Sequence, residues 1–111
     1  SDVRDAVKAY FMLVTVKPVF GECYNIGGNQ SLTIKEILEF LISISSIKKK
    51  LKIIKDSGRF RPIDADLQVP DCKKFKSHTG WNPEYNYKET LSDLLNYWRK
   101  KIKKNKNYLV R

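Results

Sequence analysis

The 111-residue chain holds one histidine, one methionine and two cysteines, and its longest apolar run, Ala9 to Val16, is short. Each scarcity excludes something. A run of that length falls well below the roughly 20 residues a helix needs to span a bilayer. Cys23 and Cys72 are too few and too far apart for a zinc motif, so no metal site is expected, and one pair does not build a disulfide framework. Both read as reduced thiols of a cytoplasmic protein. No basic-then-apolar leader opens the sequence, so no targeting segment is expected. Five Gly and four Pro without a repeat exclude collagen-like and low-complexity chains.

What is present is a folded domain's composition: 41% hydrophobic and 12% aromatic residues. Basic residues are concentrated in the second part of the chain. Residues 1–47 carry 4 basic and 5 acidic groups, whereas residues 48–111 carry 18 and 7, within a net charge of +10. Such asymmetry is compatible with a nucleic-acid or membrane surface, or with lysine serving as the ordinary solvent-facing residue. The clusters Lys48 to Lys55 and Arg99 to Lys106 show no nucleic-acid module and read as solvated faces and a basic tail. Specific nucleic-acid binding and membrane association are therefore not expected. The competing class is a free-standing basic module that binds nucleic acid by charge alone and in a salt-sensitive way.

Along the chain, Val3, Ala6, Val7, Tyr10, Phe11 and Leu13–Val14 recur at three and four, predicting an amphipathic helix over 3–16 with Asp2 as its cap. Glu22 to Ile26 reads as a short strand ended by Gly27-Gly28, with Gly27 supplying a positive φ. Thr33 and Glu36 form a capping box before a helix carrying Ile34, Ile37, Leu38, Leu41 and Ile42. Leu51 to Lys55 reads as an edge strand. Asp71 is placed to cap a short helix from Cys72 to about His78, and Gly80 to Pro83 is a turn. Asn86 and Glu89 form a second capping box before the stripe Leu91, Leu94, Leu95 and Trp98. Trp81 and Trp98 are assigned to the core, and the lone His78 to a partly exposed helix end. The expected class is α/β, mostly helical with two or three short strands, too few for an independent wound sheet.

Five segments then carry a resemblance: Asp2 to Tyr10 (Asp-Val-Arg-Asp-Ala-Val-Lys-Ala-Tyr), Tyr24-Asn25-Ile26-Gly27, Arg61-Pro62-Ile63-Asp64, Asp71 to Lys74, and Gly80-Trp81-Asn82-Pro83. In this order, over roughly residues 2–98, they resemble the C-terminal part of the GDP-mannose 4,6-dehydratases, lyases of the extended short-chain dehydrogenase/reductase family. GDP-4-dehydro-6-deoxymannose reductases and UDP-sugar 4-epimerases share much of the pattern. The resemblance implies a nucleotide-sugar-binding C-terminal lobe over residues 1–102 with a basic tail over 103–111, and a Rossmann lobe absent from this sequence. Ser1 falls inside the first landmark, which suggests a fragment.

The family's chemistry needs a Gly-x-x-Gly-x-x-Gly loop for the dinucleotide and a Tyr-x-x-x-Lys pair. The glycine-rich loop does not occur here; Tyr10, Tyr24 and Tyr87 are followed four places on by Val14, Gly28 and Leu91, and the one Tyr-x-x-x-Lys match, Tyr97 to Lys101, lies in the basic C-terminal stretch beyond the last of the five landmarks. No catalytic or cofactor-binding residue is therefore expected in the chain, and NADP is expected only in the intact enzyme. The resemblance assigns Arg61 to the diphosphate of a nucleoside-diphosphate-sugar, GDP-mannose foremost. A planar guanidinium donates two parallel bonds to anionic oxygens, and Pro62 stiffens its loop. Asp64 is implied to accept from ribose hydroxyls, and Arg59 is a second diphosphate candidate. Further expected partners are the missing Rossmann lobe and, through the apolar surface left bare without it, a homo-oligomer.

Overall fold

The computed structural model describes residues 1–28, 30–47, 51–54, 56, 58 and 69–104. Their regular structure is four helices: α1 Val3–Thr15, α2 Ile34–Ser43, α3 Lys73–Thr79 and α4 Tyr87–Lys104. No helix among them is long and apolar enough to cross a membrane.

The caps are where the sequence places them. Asp2 accepts from Arg4 N at 2.9 Å. Thr33 and Glu36 close a complete capping box on α2. Asn86 Oδ1 accepts from Glu89 N at 3.0 Å, and Asn86 N donates to Glu89 Oε2 at 3.0 Å. Asp71 acts one residue early: Cys72 is the formal cap, and Asp71 Oδ1 accepts from Lys73 N at 2.9 Å. Gly80, in the left-handed region at φ 74°, ends α3 by donating its N–H to Lys76 O.

The expected α/β class is not what forms: the four elements of regular structure among the described residues are helices, and the described residues contain no strand. A strand exists only as part of a ladder. Among the described residues the Glu22 to Ile26 segment faces no partner. Glu22 N donates back to Val19 O across a turn, and Cys23 O accepts from Lys74 Nζ at 3.1 Å. Leu51 to Ile54 is likewise unpaired into a ladder, and Lys55 lies outside the described residues. β-favouring composition without an opposing edge leaves irregular backbone.

The core is small. Ala9 of α1, Cys72, Phe75 of α3 and Trp81 are buried, and Met12, Leu13, Tyr24 and Ile26 pack around them. Phe75 lies 5.5 Å from the Tyr24 ring and 5.7 Å from Trp81. Trp98 departs from the core assignment: it is 43% exposed against 1% for Trp81. α4 packs on α2, and the ten residues of α2 run only about 15 Å.

The junction between the chain's distant parts is polar. Asp5 is buried; its carboxylate accepts from Glu84 N at 2.9 Å and Tyr85 N at 3.3 Å, while its carbonyl accepts from Trp81 Nε1 at 3.1 Å. Replacing it by Ala strips two amides of their acceptor in a site water scarcely reaches. Asp5→Ala is expected to cost about 3 kcal/mol, read as a lowered urea midpoint with unchanged slope. An unchanged midpoint would remove this carboxylate from the fold's supports.

Candidate functional site

Arg59, Arg61 and Asp64, the residues assigned to the ligand, lie outside the described residues. What is described is the frame that follows them in the chain. There Pro70 sits against Gly27: a Cβ on that glycine would meet Pro70 Cγ at 2.3 Å and Cδ at 3.3 Å. This corrects the reason for Gly27, because the positive-φ glycines of the described chain are Gly21 and Gly80. Gly27 is needed for close approach. Cys72 Sγ lies 3.5 Å from Pro70 O and 4.0 Å from Gly27 O, a weak donor closing the same corner.

Beside this corner opens a cleft of about 470 Å³, walled by Gly28, Gln30 and Leu32 on one side, Ile37 of α2 on another, and Tyr85, Tyr87 and Leu91 on the third. Its floor is the start of α1. There Asp2, also buried, takes hydrogen bonds from Arg4 Nε at 2.9 Å, Arg4 Nη2 at 2.8 Å and Thr90 Oγ1 at 2.6 Å. These bonds, those from Arg4 first, hold the Asp2 carboxyl well below the usual carboxylate range against the opposing effect of burial. Arg4 is fully engaged: its guanidinium lies 3.6 Å above the Tyr85 ring, and Nη1 pairs with Asp93 at 2.9 Å. It is a structural arginine, not one held ready for phosphate. The described residues lining the cleft include no Lys or Arg. The cleft offers rings, aliphatic groups, the side-chain amides of Gln30 and Asn86, the Thr90 hydroxyl and the Glu84 carboxylate, which suit a flat or sugar-like ring. Cations for a diphosphate have to come from elsewhere.

On the opposite side of the core, His78 Nε2 lies 2.9 Å from Lys17 O. A carbonyl only accepts, so Nε2 donates to it, and Nδ1 shares a hydrogen bond with the Tyr24 hydroxyl. Lys17 has φ 45°, a left-handed conformation costly for a side chain. His78 is thus a tie holding that turn to α3. Lys74 spans from α3 to Glu22 and lies 4.9 Å from the Tyr24 ring centre, with the Glu22 carboxyl lowered and the Lys74 amine raised by their pairing.

Sequence reasoning missed the acceptor role of Asp5 and the tie at His78. Both depend on partners more than 50 positions away, and only the spacing of Asp2, Arg4 and Asp5 hints at a polar helix start.

No protein-family model matches the chain. It is 28% identical over 102 residues, 92% of its length, to GDP-6-deoxy-D-mannose reductase of Pseudomonas aeruginosa. It is 30% identical over 104 residues, 86% of its length, to dTDP-glucose 4,6-dehydratase of Haemophilus influenzae. The chain spans about a third of these relatives, 33% and 30% of their respective lengths. These matches support the extended short-chain dehydrogenase/reductase family, at the grain of nucleotide-sugar dehydratases and reductases. They do not single out GDP-mannose 4,6-dehydratase.

Two outcomes follow from the geometry. Gly27→Ala forces Pro70 away from its seat, and an overpacking cost of about 1–3 kcal/mol is expected in thermal or urea unfolding; a neutral effect would show that the corner yields freely. For Asp2, a depressed folded pKa means its stabilisation is complete above the unfolded value of about 3.9 and is lost as pH falls through lower values. The stability gap between the native chain and Asp2→Asn is therefore expected to stay constant from neutral pH to about pH 5 and to shrink below about pH 4. A gap that persists undiminished in acid would contradict the assignment.

Proposed function

We propose that this chain is the substrate-binding C-terminal part, residues 1–102 with a basic tail over 103–111, of a nucleotide-sugar dehydratase or reductase. GDP-mannose 4,6-dehydratase is the preferred finer reading, with the related reductases and UDP-sugar epimerases as alternatives.

One observation carries this reading: nearly the whole chain aligns with two enzymes whose names give different reactions and different bases, guanosine and thymidine diphosphate sugars. A segment common to both is suited to what their named molecules share, a nucleoside diphosphate joined to a hexose. Arg61, backed by Arg59, grips the diphosphate, and Asp64 accepts from ribose hydroxyls. The glycine-rich loop, the Tyr-x-x-x-Lys pair and NADP belong to the remainder of the intact enzyme. The chain grips the substrate and leaves the hydride chemistry to that remainder.

The form of α1 agrees with such a division. Asp5 and Ala9 face the core, while Val3, Val7, Tyr10, Phe11 and Val14 lie exposed together on the other side. A helix apolar on two faces belongs between two packed layers. A dinucleotide-binding lobe packed on that outer face meets the need.

The test is calorimetry of GDP on the intact protein. Arg61→Ala is expected to weaken binding roughly ten- to hundredfold, the usual worth of a charge-assisted pair. GMP, lacking the second phosphate, should be much less affected. Equal affinity for GDP in both proteins would take Arg61 out of the site.

A further inference from the structure

α4 outruns the helix it packs on. Its 18 residues extend about 27 Å, and the chain leaves α2 where Ile44 O accepts from Arg99 Nη2 at 2.9 Å. Around and past that bond, apolar side chains of α4 stand half in solvent: Leu94, Tyr97, Trp98 and Ile102 are all exposed. At 100° per residue, Leu94, Trp98 and Ile102 fall in one stripe about 80° wide. Tyr97 touches Trp98 edge-on at 5.5 Å, and Lys101 Nζ lies 5.0 Å from the Tyr97 ring centre at the margin of the stripe. The rest of the circumference is basic: Asn96 to Lys104 holds five cationic residues and no acidic one. Ile47, also exposed, follows Ile44 by three residues and so lies within about 11 Å of the Arg99 anchor.

We propose that the C-terminal half of α4, with Ile47 beside it, is an interfacial helix that lies on an anionic lipid surface. Trp98 and Ile102 enter the boundary between headgroups and acyl chains, while Lys100, Lys103 and Lys104 stay at the phosphates. Charge complementarity selects an anionic surface, and the side chains between the charges select lipid over nucleic acid. Bases stack on flat π-faces, which Tyr97 and Trp98 offer but Leu94, Ile102 and Ile47 do not. Aliphatic and aromatic groups on one face with lysines on the other are what an in-plane helix requires. The expectation of no membrane partner is revised by side-chain exposure, which the short reach of α2 creates and the lysine count alone does not reveal. The proposal does not rest on the enzymatic reading.

Flotation of the full-length protein with phosphatidylcholine vesicles, with and without phosphatidylserine, tests it. Co-flotation is expected only with phosphatidylserine and should fade at high salt. Reversing Lys100, Lys103 and Lys104 together to Glu should weaken partitioning at least roughly hundredfold. These side chains are exposed, so thermal stability should hold. The emission difference between the native protein and Trp98→Phe should move to shorter wavelength on anionic vesicles. Absence of co-flotation with phosphatidylserine, equal flotation of the charge-reversed variant, or salt-sensitive binding to RNA or DNA without vesicle binding would each overturn the proposal.

Discussion

The fold depends on two buried carboxylates in the first turn and a half of the chain's opening helix. Asp2 and Asp5 reach partners 76 to 88 positions away: the Trp81 indole and Thr90 hydroxyl at the limits, the Glu84 and Tyr85 amides between. The apolar core they adjoin is very small, four buried side chains among the described residues. A core of that size does little to choose one register of turn and helix over another. Directed hydrogen bonds to buried acceptors do choose, because any shift leaves an acceptor or amide unpaired at a cost of about 1–3 kcal/mol each, a sizeable fraction of a small domain's margin.

The same opening helix turns an apolar face outward. Asp5, Ala9 and Met12 turn inward, and the valines, Tyr10 and Phe11 turn out, leaving only the strip of Arg4 and Lys8 polar. The arrangement is coherent if α1 is an interior helix with one layer on each side. It also accounts for the unladdered Glu22 to Ile26 segment, whose backbone has hydrogen-bonding capacity beyond the turn at Val19 and the Lys74 amine.

Local signals were readable from the sequence and long-range ones were not. Thr33 with Glu36, Asn86 with Glu89, and Asp2 before Val3 act within one turn, so their residue types determine their geometry. The strands failed because pairing is a property of two segments, and Val- or Ile-rich composition supplies only one. Gly27 was recognised as necessary for the wrong reason, since the sequence does not show that Pro70 closes on it. Trp98 was assigned inside because its stripe matches Leu91 and Leu95; the stripe is real, but α2 is too short to cover its far end. Arg59, Arg61 and Asp64, the residues proposed to grip the ligand, lie outside the described residues, and the corner at Pro70 follows them in the chain.

Under the proposed function, that corner bears on binding. A guanidinium recognises a diphosphate well only when its fork is held close to the required geometry, and a loop free at both ends would lose that much more freedom on binding. Three contacts fix the loop's exit: the ring of Pro70 on Gly27, the Cys72 thiol on two carbonyls, and Asp71 over the first amide of α3. α3 is in turn held to the core through Phe75 and to the preceding turn through His78. Rigidity is thereby passed from the buried rings to Pro70 by packing and hydrogen bonds, with no ligand required, and under the proposed function this lowers the ordering cost of binding by the residues that precede it.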